Sequence, residues 1–169
     1  VLSVIDKIEA AARHKGTVTG LATGFYDLDY KTSGLQPSDL ILIAARPSMG
    51  KTAFVLNLAQ YMCVRNHVPT AIFSLEMSKD QLVNRILSME SKVDSQSMRT
   101  GTLQPADWEK LIESAGVIST APLIIDDTPG ISITELRSKC RKYKLENDLG
   151  LVIIDYLQLM TGGSKKQES

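Results

Sequence analysis

The chain has 169 residues, room for one domain with a single hydrophobic core, and its 19 basic and 19 acidic residues cancel. Zero net charge excludes a global basic field, so any contact with nucleic acid must be local. Cys63 and Cys140 lie far apart without metal-ligand spacing and fit free thiols of a cytoplasmic protein, and no apolar run approaches the roughly 18 residues that span a bilayer.

Residues Val1 to Ala12 place Val4, Ile5, Ile8 and Ala12 at spacings of three and four, one face of a helix. Arg13 to Gly16 breaks that pattern. Residues 1–15 therefore read as a linker helix and connector, and residues 16–169 as the core. A helix of about 12 residues is marginal alone in water, so this one needs its apolar face covered. Short apolar runs then alternate with amphipathic stretches, which predicts an α/β fold, a mostly parallel sheet with helices on both faces. Strands are expected at Leu40–Ala44, Thr70–Leu75, Leu123–Asp126 and Leu151–Asp155. Their continuous apolar character suits strands covered on both sides.

The helices between are well marked. Thr52 to Tyr61, with Met62 beyond, carries Val55, Leu58 and Ala59 on one side. Ser78 and Gln81 make a capping box ahead of Leu82, Ile86 and Met89. Pro105 suits the first turn of a helix that carries Trp108, Leu111 and Ile112 and closes near Gly116. Ser132 and Glu135 form a second box, before Leu136, Cys140 and Tyr143. Thr161–Ser169 is rich in Gly, Ser and Lys and reads as a loop in which the core breaks off incomplete.

The strongest chemical signal is Ala45-Arg46-Pro47-Ser48-Met49-Gly50-Lys51-Thr52, a phosphate-binding loop between a strand and a helix. Gly50 lets backbone N–H groups of Ser48 to Ala53 converge on phosphate oxygens, and the next helix points its positive end at the same anion. Lys51 supplies a charge to the β- and γ-phosphates of ATP, and the Thr52 hydroxyl is a ligand for Mg²⁺. Ala45 departs from the pattern, which has glycine there, and alanine penalises a positive φ. Leu151 to Asp155 is an apolar strand ending in a carboxylate, the form that holds Mg²⁺ through its water shell.

Tyr156 follows Asp155 where many ATPases carry a glutamate that orients the attacking water. Glu76 is the substitute: it ends the run Ile72 to Leu75, on a strand expected beside that of the phosphate loop. The plainer role for Glu76 is a negative charge near the start of the next helix.

Three blocks together resemble the DnaB-type replicative helicases: Ala45 to Thr52, Phe73-Ser74-Leu75-Glu76-Met77-Ser78, and Ile154-Asp155-Tyr156-Leu157-Gln158-Leu159. Thr23-Gly24-Phe25, Leu28-Asp29, Ser33-Gly34-Leu35 and Asp126-Asp127-Thr128-Pro129 add to the likeness, which runs from about Val4 to Met160. Alanine at the position of Ala45 is common in that family. The resemblance implies a RecA-like P-loop core, a hexameric ring joined through the N-terminal linker helix, and ATP-driven movement on single-stranded DNA. Primase and a helicase loader are implied as partners. It also assigns Lys51 and Thr52 to phosphate and Mg²⁺, Asp155 to the metal, and Glu76 to the attacking water. Members of the family continue past this chain, into a further strand, a DNA-contacting loop and an arginine finger. The alternatives are another RecA-like ATPase of recombination or repair, a P-loop kinase, and an ATP-binding module without turnover.

Other features weigh less. Arg137, Lys139, Arg141, Lys142 and Lys144 read first as a solvated helix face and second as a DNA or subunit contact. His14 and His67 have no partner pattern, and Trp108 reads as a core residue.

Overall fold

The computed structural model describes residues 1–13 and 18–161. The predicted connector from Arg13 to Gly16 and the tail beyond Thr161 fall largely outside them. Contacts divide the chain into two compact units, one up to Met49 and one from Gly50 on.

The first unit holds α1 (Leu2–Arg13) and α2 (Tyr26–Thr32). Helix α1 forms where periodicity predicts it, yet none of its residues is buried, and Ile8 is 62% exposed. In the rest of the unit, polar groups do the holding. The buried Asp29 carboxylate accepts hydrogen bonds from the N–H and hydroxyl of Thr23, at 2.9 and 2.7 Å, and from the Gly24 N–H. Leu21 and Leu35 form an antiparallel bridge beside it. Gly34 sits at φ +87°, and a Cβ there would meet Val18 Cγ1 at 2.5 Å, so no other residue fits.

Leu40–Ala44 is not a strand. These residues are exposed and enter no ladder among the described residues, so the predicted strand is corrected. An apolar run supplies side chains for a strand, but only a neighbouring backbone supplies the hydrogen bonds that make it one.

The second unit is a three-stranded parallel sheet of β1 (Thr70–Ser74), β2 (Leu123–Asp126) and β3 (Leu151–Asp155), in the order β2-β1-β3. Strand β1 is central and wholly buried. Its alternate residues feed two cores, as a period of two requires. Ile72 packs with Leu56 and Ala59 of α3 (Lys51–Ala59) and with Leu82 and Ile86 of α4 (Lys79–Ser91). Ala71 and Phe73 pack on the other side with Ile131, Leu149 and Leu136 of α7 (Ile133–Asn147). Helices thus cover both faces, and each expected strand of this unit appears within a residue of its predicted bounds.

Local details refine the sequence reading. Helix α3 continues as a π-helical turn from Gln60 to Arg65. That geometry brings residues five apart into line. Gln60 and Arg65 consequently reach the same buried carboxylate, Glu90, at 2.7 and 2.9 Å. The box of Ser78 and Gln81 is complete, whereas at α7 only the Ser132 half is formed. Three short elements went unpredicted: a 3-10 turn at Leu157–Leu159, α2, and α5 (Ser95–Thr100). The last carried readable signals, an Asp94 cap and Gly101 in the left-handed conformation at its end. Helix α6 (Pro105–Ser119) runs past Gly116, because Ile118 packs on the first core and outweighs a mid-helix glycine. Leu111 of α6 is buried and Ile112 is exposed, while Trp108, at 55% exposure, is a surface residue and not the core residue expected.

Candidate nucleotide site

Helix α3 and strand β3 begin and end at one carboxylate. Gly50 caps α3 at φ +89°, a conformation that strains any residue with a Cβ, and contributes no side-chain cap. The first-turn N–H groups of α3 therefore have no side-chain acceptor at the cap, a condition that suits an anion. From that first turn, Lys51 Nζ lies 2.8 Å from Asp155 Oδ1. The Thr52 hydroxyl donates to Asp155 Oδ2 at 3.1 Å, across 103 residues of sequence. The Lys51 ammonium also stands 4.2 Å from the centre of the Tyr156 ring, which its charge favours.

Asp155 is only 4% exposed. Its Oδ1 is close enough to Lys51 for charge pairing, but the contact lies outside hydrogen-bond geometry, so this buried oxygen has no directed donor. A carboxylate oxygen with spare acceptor capacity beside a hydroxyl is a hard-oxygen donor pair of the kind Mg²⁺ selects. The residues fit that cation: Thr52 and Asp155 would hold it, and it would neutralise phosphate charge. The remaining loop residues belong to the two units separately. Ser48 (φ 61°) and Met49 are exposed in the first, Met49 donating its N–H to the Arg46 carbonyl at 3.3 Å. Ala53 is exposed on α3 in the second. Ala45 does not take a positive φ, so the replacement of glycine there carries no conformational penalty.

Glu76 follows the end of β1, and its surroundings correct one expectation. Both edges of β1 are occupied, by β2 and by β3, so β1 pairs with the Asp155 strand and has no edge left for a further strand. Ser74 stands in register with Asp155, and the Leu75 N–H donates to the Asp155 carbonyl at 2.8 Å. Glu76 is exposed one residue further on, and its side chain makes no ion pair or hydrogen bond to the described residues.

The basic residues of α7 do not act as one face. Lys139 turns back to Asp126 at 2.7 Å, with Glu135 at 3.4 Å, and Lys144 pairs with Asp148, while Arg137, Arg141 and Lys142 are exposed. Burial pushes the Asp126 carboxyl up, but hydrogen bonds from Lys139 and Thr128 outweigh it and hold the group below the usual carboxylate range. The Asp126 hydrogen bond in turn holds the Lys139 ammonium above the usual lysine range. A lowered carboxyl contributes stability at neutral pH that is lost as pH falls through its folded value. Asp126→Asn should therefore cost about 1–2 kcal/mol at pH 7. In urea titrations the gap to wild type should narrow as pH drops below about 4. A gap that stays constant down to pH 3 would contradict this account.

A lysine and a threonine that open a helix, both turned to the carboxylate closing a parallel strand, are the arrangement of a P-loop core of the RecA type. Residues 20–169 match the DnaB-like helicase C terminal domain, and the chain belongs to that family. Replicative DNA helicase DnaB of Geobacillus stearothermophilus is 48% identical over 169 residues, all of this chain and 37% of the relative. The chain thus spans little more than a third of that relative's length. A solved ATPase domain, 36% identical, aligns over 99% of this chain and 59% of its own with a TM-score of 0.89. A DnaB-like replicative helicase, described together with its interactions with primase, aligns over 99% of this chain and 41% of its own at 36% identity and a TM-score of 0.88.

Proposed function

We propose that this chain is the ATP-driven motor core of a replicative DNA helicase, which hydrolyses ATP to move along single-stranded DNA and unwind duplex as a hexameric ring. The observation that carries the reading is the convergence of Lys51 and Thr52 on the buried Asp155. In this reading Ser48 to Ala53 cradle the phosphates, Thr52 and Asp155 hold Mg²⁺, and Glu76 takes the proton of the attacking water. Residues 1–15 serve as the linker, and α1, whose apolar face is uncovered, docks on the neighbouring subunit of the ring. Primase and a loader are its partners in the cytoplasm.

The test measures phosphate release by a full-length protein carrying this domain, with and without single-stranded DNA. Hydrolysis stimulated severalfold by DNA is the expected result. Transfer to a small acceptor would identify a kinase instead, and nucleotide binding without turnover a non-catalytic module.

A further inference from the structure

Glu76 sits exposed in a turn between β1 and α4, flanked by the partly buried Leu75 and Met77, and that turn has to be held if its carboxylate is to act on one water. Two side chains hold it from opposite ends. The Ser74 hydroxyl, on a residue only 2% exposed, donates to the Met77 carbonyl at 2.7 Å and closes the turn across Glu76. At the far end, Asp127 Oδ2 accepts the Lys79 N–H at 2.9 Å, from 48 residues away in sequence. Asp127 is itself fixed by its neighbours. The Asp126 carboxylate accepts the Thr128 N–H at 2.9 Å, and Lys139 bonds both Asp126 and the Thr128 hydroxyl, at 2.7 and 3.2 Å. The Leu75 N–H adds a third tie, to the carbonyl of Asp155 itself.

We propose that Ser74 and Asp127 are positioning residues, which fix the turn carrying Glu76 against the strand that ends in Asp155. This rests on the catalytic reading of Glu76 and deepens it. The box of Ser78 and Gln81 leaves the Lys79 N–H to be satisfied, and Asp127 takes it from the segment after β2, so the start of α4 is tied to that segment as well as capped. A misplacement of about 1 Å in a reacting group can cost about a hundredfold in rate, so loosening either anchor should show in turnover before it shows in binding.

The experiment uses a full-length protein carrying this domain. Ser74→Ala and Asp127→Ala should each lower kcat about ten- to a hundredfold, with nucleotide Kd unchanged within about twofold. Asp127→Asn keeps an acceptor oxygen and should restore most of the rate, which a purely electrostatic role would not allow. In a Glu76→Gln background, neither alanine change should reduce the residual turnover further. Three results would overturn the proposal: wild-type kcat in both alanine variants, equal losses with and without Glu76, or an Asp127→Asn variant as slow as Asp127→Ala. A Glu76→Gln variant that itself turns over normally would remove the catalytic reading, and this inference with it. Asp127 is exposed, so its variants remain informative even if Ser74→Ala folds poorly.

Discussion

Glu76→Gln is expected to abolish most ATP turnover in a full-length protein while leaving nucleotide affinity within about twofold. Glutamine keeps the size and one acceptor oxygen but cannot take a proton. General-base catalysis is typically worth about 10²–10⁴ in rate, so kcat should fall by that factor, roughly 3–5.5 kcal/mol of transition-state stabilisation. The competing role, a charge favouring the start of α4, predicts a loss of only a few-fold. The structure weakens that competitor. Helix α4 already has a complete capping box, Asp80 in its first turn and the Asp127 carboxylate on the Lys79 N–H. Steady-state phosphate release, paired with titration of a fluorescent nucleotide, separates the two. A few-fold change in kcat would place the base elsewhere.

The second large effect concerns Lys51 and Mg²⁺. This chain should bind ATP or ADP in a Mg²⁺-dependent manner. Lys51→Ala removes a charge-assisted contact worth roughly 1.5–3 kcal/mol, about ten- to a hundredfold in affinity. The ion pair adds a second consequence. Asp155 is 4% exposed, and Lys51→Ala leaves its carboxylate with only the Thr52 hydroxyl. Removing one partner of a buried pair costs about 3–5 kcal/mol, less here because Lys51 is 24% exposed, so we expect about 1–3 kcal/mol and a lower Tm. The same reasoning predicts a Mg²⁺ requirement. Phosphates that draw the ammonium away from Asp155 leave that buried charge uncompensated unless a second cation takes the carboxylate. Chelation by EDTA should accordingly weaken nucleotide binding at least about tenfold. Equal affinity of Lys51→Ala and wild type, measured by nucleotide titration, would end the phosphate-loop assignment.

What the sequence determined by itself was whatever a few consecutive residues decide. The strands at Leu123–Asp126 and Leu151–Asp155, the Ser78–Gln81 box, Pro105 at a helix start and Gly50 before Lys51 all follow from periodicity, capping and backbone freedom. These act over one to four residues, so they survive without knowledge of the fold. The tertiary structure alone decided the rest. It left Leu40–Ala44 without a ladder among the described residues, and it put β1 beside the Asp155 strand, so that Glu76 and Asp155 lie at the carboxyl ends of adjacent strands. It exposed Trp108 and sent Lys139 to Asp126 instead of to solvent. It also joined Asp127 to Lys79, two polar residues that no periodicity connects. The reason is physical: strand pairing and long-range hydrogen bonds are choices among neighbours that become available only when the chain has folded, and a local pattern names the group without naming its partner.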